Sequence, residues 1–364
     1  MVSELAPRIA IDARLVGGQS TGDSTYWLGL LNGLSRINTN FRFLLFSNAS
    51  RPLGIPDSDR FEWVKLPARS SRWWSLVQFP AAARRMGAAA IHTQYSLSPL
   101  VGSLGITTIH DVSFFIGPEW FKPKDRALLR TTVPASAKRA ARVITVSETS
   151  KGDIARYIPG VEDKVRVTYL AAHPQILAQK KITAKQKVKQ AFGIEGPYVL
   201  SVGTLWPRKN TQLAVEAMKL LDGKVPHRLV LTGKAGWGGD PTKSNQLVTT
   251  GYVDFDHLSA LYSAADLYLA PSRHEGFGIP LLEAFRCGCP VLCSSGGALP
   301  EVAGNAGEVE SSWEASDWAD RIQSMLNDSG KLERLRAAGL EREKQFTWQE
   351  TARKTLDVYK EMVG

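Results

Sequence analysis

Short apolar and β-branched runs alternate along the whole chain with longer stretches of helical period. RIAID (8–12), FRFLLFSN (41–48), AAIHTQ (89–94), ITTIHD (106–111) and RVITVS (142–147) read as strands. Residues 26–37 and 125–141, lying between them, carry apolar positions at helical spacing. The second half repeats the pattern. Strands are expected at 198–203, 227–233, 247–253, 267–272 and 290–295, and helices at 210–221, 255–264 and 280–285. Such alternation is the mark of βαβ units that build a parallel sheet. A lysine-rich, weakly periodic stretch, HPQILAQKKITAKQKVKQAFGI (173–194), separates the two series. The expected organisation is therefore α/β, with two Rossmann-like domains over 1–175 and 176–345 and a cleft between them. The closing segment 346–364 has strong helical period and no strand after it, and is expected to pack back on the first domain.

Composition narrows the class. The chain has 364 residues, 43% of them apolar and 22% charged, which excludes a largely disordered, collagenous or disulfide-scaffold protein. No apolar run approaches the ~20 residues that a membrane span needs. The start, MVSELAPRIAID, lacks the basic-then-apolar pattern of a secretory signal. Cys287, Cys289 and Cys293 are odd in number and close together, and read as buried small apolar residues rather than a disulfide framework or a metal site. A cytoplasmic location is expected. The net charge of +10 is unevenly placed: residues 1–175 hold 22 Lys and Arg against 13 Asp and Glu, whereas 176–364 hold 23 against 22. A basic half suits nucleic acid, acidic lipid headgroups or a phosphorylated substrate, or is simply a soluble surface.

The candidate chemistry concentrates in APSRHEGFGIPLLEAFRCGCPVLCSS (270–295). A strand ending near Ser272 leads into a glycine-containing loop, and Pro280 stands where a helix begins, a place that tolerates its missing N–H. Gly276, Phe277, Gly278 and Ile279 thus set backbone amides at a helix mouth, where free N–H groups and the helix dipole favour an anion. Glu275 and Glu283 bracket this turn. Carboxylates beside an anion site suit hydroxyl groups, so the pair could hold a ribose and a sugar next to phosphates; alternatively both are ordinary surface and helix-start charges.

The run E-G-F-G-I-P-L-L-E-A closely resembles the E-x7-E motif of the family-4 retaining glycosyltransferases, which have the GT-B fold. Further segments are similar in the expected order: IDARLVGGQSTGDSTYWLGLL (11–31), TIHDVSFF (108–115), RVITVSETSKGDI (142–154), YVLSVGTLWPRKN (198–210) and GYVDFDHLSALYSAADLYLAPS (251–272). The resemblance implies that Glu283 bonds the ribose of a nucleoside-diphosphate sugar and Glu275 the transferred sugar. It implies that the amides of Gly276–Ile279 contact sugar and diphosphate, Lys209 neutralises the leaving group, and His110 touches the sugar. Val253 would present its backbone to the base, and the Gly17–Gly18 turn would approach the phosphates. One departure stands out. The family often has arginine after the phosphate-loop glycine, but here Thr204 follows Gly203, so Arg208 beside Lys209 is expected to share the charge work.

Two further features lie in the first half. His110 falls near a strand's C-terminal end, where open α/β sheets bind ligands; His92, ending another strand, and Asp111 are weaker acceptor-side candidates, with a packed residue the plain alternative for any lone histidine. ARSSRWWSLVQFPAAARRMG (68–87) sets adjacent tryptophans among Arg69, Arg72, Arg84 and Arg85, which suits an anionic membrane surface or else a packed helix.

The resemblance implies a retaining hexosyltransferase of surface-polysaccharide or lipopolysaccharide synthesis, acting on a glycan or lipid-linked acceptor, with GDP-mannose favoured over UDP sugars. No separate cofactor and no metal ligands are expected, since no D-x-D stands in a setting that would hold one. The location would be the cytoplasmic side, peripheral on the membrane. The alternatives are a phosphorylase of the same fold or a basic nucleic-acid-binding protein, although no recognition element concentrates the basic residues. A dehydrogenase is disfavoured because Gly17, Gly18 and Gly22 lack G-x-G-x-x-G spacing.

Overall fold

The computed structural model describes residues 6–17, 22–68, 70–234, 236 and 246–363. The chain divides into two compact units, Met1–Leu170 with Thr347–Gly364, and Ala171–Phe346.

Among the described residues, the first unit holds seven strands: β1 (Arg8–Asp12), β2 (Arg42–Ser47), β3 (Phe61–Lys65), β4 (Ala88–Gln94), β5 (Gly105–Thr108), β6 (Arg142–Thr145) and β7 (Val165–Val167). They are all parallel, in the order β3-β2-β1-β4-β5-β6-β7. Ile9–Ile11 and Phe43–Phe46 are buried throughout, as strands covered on both faces must be. The order reverses between β1 and β4, and the crevice beyond the carboxyl ends of such a pair is where open sheets take ligands. β3 and β7 were not among the expected strands. Both are short, at the sheet's edges, and interleave charged residues with apolar ones, which hides them from an apolar-run criterion.

The first helix (Gly22–Arg36) lies on this sheet through Trp27, Leu30, Leu31 and Leu34. Against it packs the C-terminal helix (Trp348–Val363), closely enough that a Cβ on Gly29 would sit 2.2 Å from the Trp348 ring and one on Gly33 2.1 Å from the Trp348 carbonyl. Thr351 Oγ1 donates to the Tyr169 carbonyl (2.5 Å), and Arg142 and Arg166 pair with Glu361. The last segment is therefore part of the first unit's core.

The second unit holds, among the described residues, β8 (Tyr198–Val202), β9 (Arg228–Thr232), β10 (Leu247–Gly251), β11 (Leu267–Ala270), β12 (Val291–Ser294) and β13 (Glu308–Glu310). These are parallel in the order β10-β9-β8-β11-β12-β13, reversing between β8 and β11. Its core gathers Val199, Leu231, Leu269, Leu292, Trp318 and Ile322. The division falls after Leu170 rather than after residue 175, and the stretch 173–194 is not a linker. Lys181–Phe192 forms a helix that ends at Gly193 in the left-handed region and buries Ala184 and Val188. Its lysines obscured that narrow seam in the sequence: Lys181 pairs with Asp266 (2.7 Å) and Lys187 with Asp256 (2.8 Å).

Candidate active site

In the second unit, the reversal of strand order brings the segments after β8 and β11 to one sheet edge. Gly203 (φ +142°) and Gly233 (φ +145°) leave their strands so close together that a Cβ on Gly233 would lie 2.1 Å from the Gly203 carbonyl. The chain then turns through Pro207–Lys209, and Asn210, at φ +49°, opens the helix Thr211–Leu220. The Arg273 amide donates to the Arg208 carbonyl (2.8 Å), tying the two segments together. The loop after β11 is held from its far side by Ser294 Oγ, which donates to the Ser272 carbonyl (2.5 Å), and by the Ala298 amide on the Glu275 carbonyl (2.9 Å).

This scaffold converges three of the expected residues. Glu275 is buried, with Oε2 2.8 Å from Arg208 Nη1 and Oε1 2.7 Å from Lys209 Nζ. Burial pushes its carboxyl up, but the charges of Arg208 and then Lys209 outweigh burial and hold it well below the usual carboxylate range. Both carboxylate oxygens, expected to meet sugar hydroxyls, are here engaged by cations. Two cations against one carboxylate leave the trio with one net positive charge. Arg208 also donates to the His274 carbonyl (2.5 Å), so it does not simply face solvent.

Beside the trio, Gly278 at φ +105° caps the helix Ile279–Arg286, and a Cβ there would press to 2.8 Å from Leu299 Cδ2. Phe277 is buried edge-on to Phe346, which ties this turn to the segment before the C-terminal helix. Glu283, on the helix, is buried and differs sharply from Glu275. It accepts hydrogen bonds from Tyr262 Oη (3.0 Å) and from the His173 amide, and burial still lifts its carboxyl to about 7. The His173 ring stacks on Phe255 (centroids 3.8 Å apart, 13° between planes), and burial lowers its pKa to about 4. Val253 is half-buried just before Asp254, whose side chain caps the helix Phe255–Ala264 by accepting from the His257 amide (2.9 Å).

In the first unit, Gly17 (φ +73°) turns the chain after β1, where a Cβ would meet Pro52 Cβ at 2.4 Å. Gly18 and Arg69 lie outside the described residues. His110 follows β5, with Nε2 2.9 Å from Gln94 Oε1 and 3.7 Å from Asp23 Oδ1. Burial lowers its pKa, opposed by the Asp23 and Asp111 charges. Half-buried Asp111 accepts at Oδ1 from the Ser113 amide (2.8 Å) and hydroxyl (2.5 Å), closing a local turn.

The acceptor-side expectation for His92 is overturned. Its ring is fully buried, with Nδ1 2.7 Å from Tyr359 Oη and Nε2 2.8 Å from Thr108 Oγ1, and burial lowers its pKa to about 3. It is a satisfied core histidine that joins β4 to the C-terminal helix. The paired tryptophans also divide. Trp74 is buried, stacked on Phe79 with the Arg14 guanidinium 4.1 Å over its ring, while Trp73 is 50% exposed. The three cysteines are free and buried.

Sequence reasoning missed Tyr262, His173, Gln94 and Asp23. Tyr262 meets Glu283 only because two helices approach across 21 residues of sequence, a contact that leaves no periodic trace. Asp23 carried a usable signal, an acidic residue in the first turn after a glycine-containing loop. A cavity of about 590 Å³ lies at the opposite, amino-terminal edge of the first unit's sheet, lined by Arg36, Arg42, Asp59 and Arg60 among others. It contains none of the predicted residues, and Arg42 and Arg60 there bond backbone carbonyls.

Comparison with known proteins bears on the family and the fold. Residues 183–342 match the family "Glycosyl transferases group 1". The chain is 34% identical over 269 residues to O-antigen chain mannosyltransferase B of Escherichia coli, covering 70% of each sequence. In fold it is similar to sucrose-phosphate synthase of Thermosynechococcus elongatus (TM-score 0.75, 21% identity, 98% of this chain and 99% of that one). It is similar too to HepE of Anabaena, solved with UDP and glucose (TM-score 0.72, 18% identity, 98% and 99%). Two parallel Rossmann-like sheets, each with its strand-order reversal, are the GT-B architecture. On its relatives, its fold and its E-x7-E turn, the chain belongs to the group 1 glycosyl transferases.

Proposed function

We propose that this glycosyltransferase moves mannose from GDP-mannose to a hydroxyl of a growing glycan, carried on a lipid pyrophosphate, in surface-polysaccharide synthesis. The observation that carries the reading is the trio of Arg208, Lys209 and Glu275 beside the Gly278-capped helix, a buried site with a residual positive charge. The named mannosyltransferase relative supports mannose.

In the proposed reaction the bond from the anomeric carbon to the diphosphate oxygen breaks, and its electron pair stays on the diphosphate. Arg208, Lys209 and the turn at Gly276–Ile279 stabilise that charge as it forms, preorganised electrostatics of the kind that dominates many enzymes. The acceptor hydroxyl attacks from the same face, its oxygen bonds the anomeric carbon, and a leaving-group phosphate oxygen takes its proton. Configuration is thereby retained. Glu283 holds the ribose, Glu275 and His110 hydroxyls of the transferred sugar, and Val253 and the Gly17 turn the base and phosphates. No cofactor beyond the donor enters this scheme.

A thermal-shift screen over GDP, UDP, ADP and their sugars tests the donor, since a ligand of the native state raises apparent stability. GDP and GDP-mannose should stand out. A shift with UDP sugars alone sinks the mannose assignment, and sugar phosphate released on adding inorganic phosphate would make the enzyme a phosphorylase.

The same reading includes docking on an anionic membrane. Among the described residues no helix is long and apolar enough to cross one. Trp73, Leu76 and Leu100 are exposed on adjoining segments, where Ser98 Oγ donates to the Leu76 carbonyl (2.6 Å), and exposed Arg72, Arg84 and Arg85 supply complementary charge. Sedimentation with anionic but not neutral vesicles is expected; no binding at low salt removes this part of the reading.

A further inference from the structure

The end of β4 fixes which nitrogen of His110 carries its proton. Gln94 Nε2 donates to the backbone carbonyl of Asp23 (3.1 Å). A carbonyl only accepts, so the amide's NH2 must face it, and Gln94 Oε1 is thereby turned toward His110 Nε2 at 2.9 Å. An amide oxygen also only accepts, so Nε2 must bear the hydrogen. The Asp23 carboxylate, 3.7 Å from the same nitrogen, favours the same arrangement. His92 provides the contrast within the same sheet. Both of its nitrogens meet hydroxyls, which donate or accept equally well, so its surroundings impose no tautomer.

The rest of the site is built to hold this ring. Tyr26 packs edge-on to His110 (5.0 Å, 80°), and Tyr95 lies 5.7 Å away. Tyr95 adopts φ +55°, a backbone conformation that bulky residues rarely take and that clusters at functional sites. That turn, closed by the Ser96 amide on the Gln94 carbonyl (2.5 Å), ends β4 with Gln94 in register with Thr108, two residues before His110. Burial favours the neutral ring. Nδ1 then keeps its lone pair, and no described residue hydrogen-bonds it.

We propose that Gln94 is a positioning residue that locks His110 as the Nε2–H tautomer and so makes Nδ1 an acceptor for a hydroxyl of the bound sugar. The catalytic consequence rests on the reading of His110 as a sugar contact; the tautomer itself does not. A donor lacking that hydroxyl loses the bond, which makes the Gln94–His110 pair a determinant of donor choice. Protonation of the ring would convert Nδ1 to a donor and abolish the acceptor role. The charged or titratable groups around it are Asp23, Asp111, His92, Tyr26 and Tyr95, of which the two carboxylates favour the imidazolium.

The test compares the full-length protein with Gln94→Met and Gln94→Glu by histidine-¹⁵N long-range correlation NMR, assigning the His110 signals through His110→Asn. The parent should show a protonated Nε2 and a bare Nδ1 near neutral pH. Gln94→Met, which keeps the side-chain length, should give mixed tautomers and lower kcat/KM by about tenfold, as for loss of one directed hydrogen bond. Gln94→Glu should raise the imidazolium population and move the acid limb of the pH profile up by about one unit. Near-parental melting temperatures keep the comparison within folded protein. A parent with protonated Nδ1, or a Gln94→Met spectrum unchanged from the parent, overturns the lock. An intact lock together with undiminished transfer by His110→Asn overturns the sugar-contact reading instead, so the two failures are told apart.

Discussion

Glu283→Gln should make the protein more stable in mildly alkaline solution and leave it nearly unchanged in acid. Glu283 is buried, and its carboxyl titrates near 7 in the folded chain against an ordinary value near 4.5. A group whose folded pKa is raised contributes stability that is fully present below its unfolded pKa and is lost as the pH rises through the folded one. The window is therefore about pH 4.5 to 7. Across it the ionising carboxylate should cost the fold roughly 3 kcal/mol, from a shift of between two and three units at 1.36 kcal/mol each. Glutamine keeps an acceptor for Tyr262 Oη and carries no charge, so the variant should not feel this loss. For a cooperative transition of all 364 residues the difference corresponds to about 4 °C in Tm. Calorimetric scans of both proteins at pH 5 and pH 8.5 measure it. A difference in Tm that is the same at both pH values, or that favours the parent at pH 8.5, refutes the burial argument. The proposed ribose contact adds a corollary: hydroxyls donating to Glu283 favour its ionised form, so nucleotide binding near pH 7 should release a proton, seen by titration calorimetry in buffers of different ionisation enthalpy.

Three other outcomes follow from the geometry. Lys209→Ala should lower turnover by about 10²-fold, as for loss of one preorganised charge donor, and Arg208→Ala comparably; steady-state kinetics showing a mild effect for Arg208→Ala alone would reject equal sharing of the charge work. Gly278→Ala should destabilise the chain by more than about 1 kcal/mol in urea titration, because φ +105° strains any Cβ-bearing residue and Leu299 occupies the space; a neutral result means the turn relaxes. Trp73→Ala should abolish vesicle binding at unchanged stability, whereas Trp74→Ala should cost about 3–5 kcal/mol as a core truncation; equal stability effects would contradict the division of the two rings between surface and core.

The central strands and the glutamate turn were legible because their signals are local. β1, β4, β8 and β11 are short, largely apolar runs, and the helix expected at Pro280 begins one residue earlier, at Ile279. Edge strands β3, β7 and β13 escaped because half-exposed strands mix charge into their pattern. His92 was misjudged for a related reason: its position at a strand end resembles that of His110, but its partners, Thr108 and Tyr359, come from β5 and from a helix 267 residues away. Nothing local distinguishes a satisfied histidine from a displayed one.

The sequence by itself determined the two α/β units, the glycine turn with its paired acids, and the nearby basic residues, since these depend on periodicity, backbone freedom and residue type within a few positions. Tertiary structure alone decided what each group does there. It put Glu275 between two cations and buried Glu283 against neutral donors, so that two glutamates eight positions apart titrate on opposite sides of their ordinary value. The physical reason is that ionisation and tautomer follow from dielectric, charge and hydrogen-bond partners, which are set by residues distant in the chain and met only when the sheets assemble.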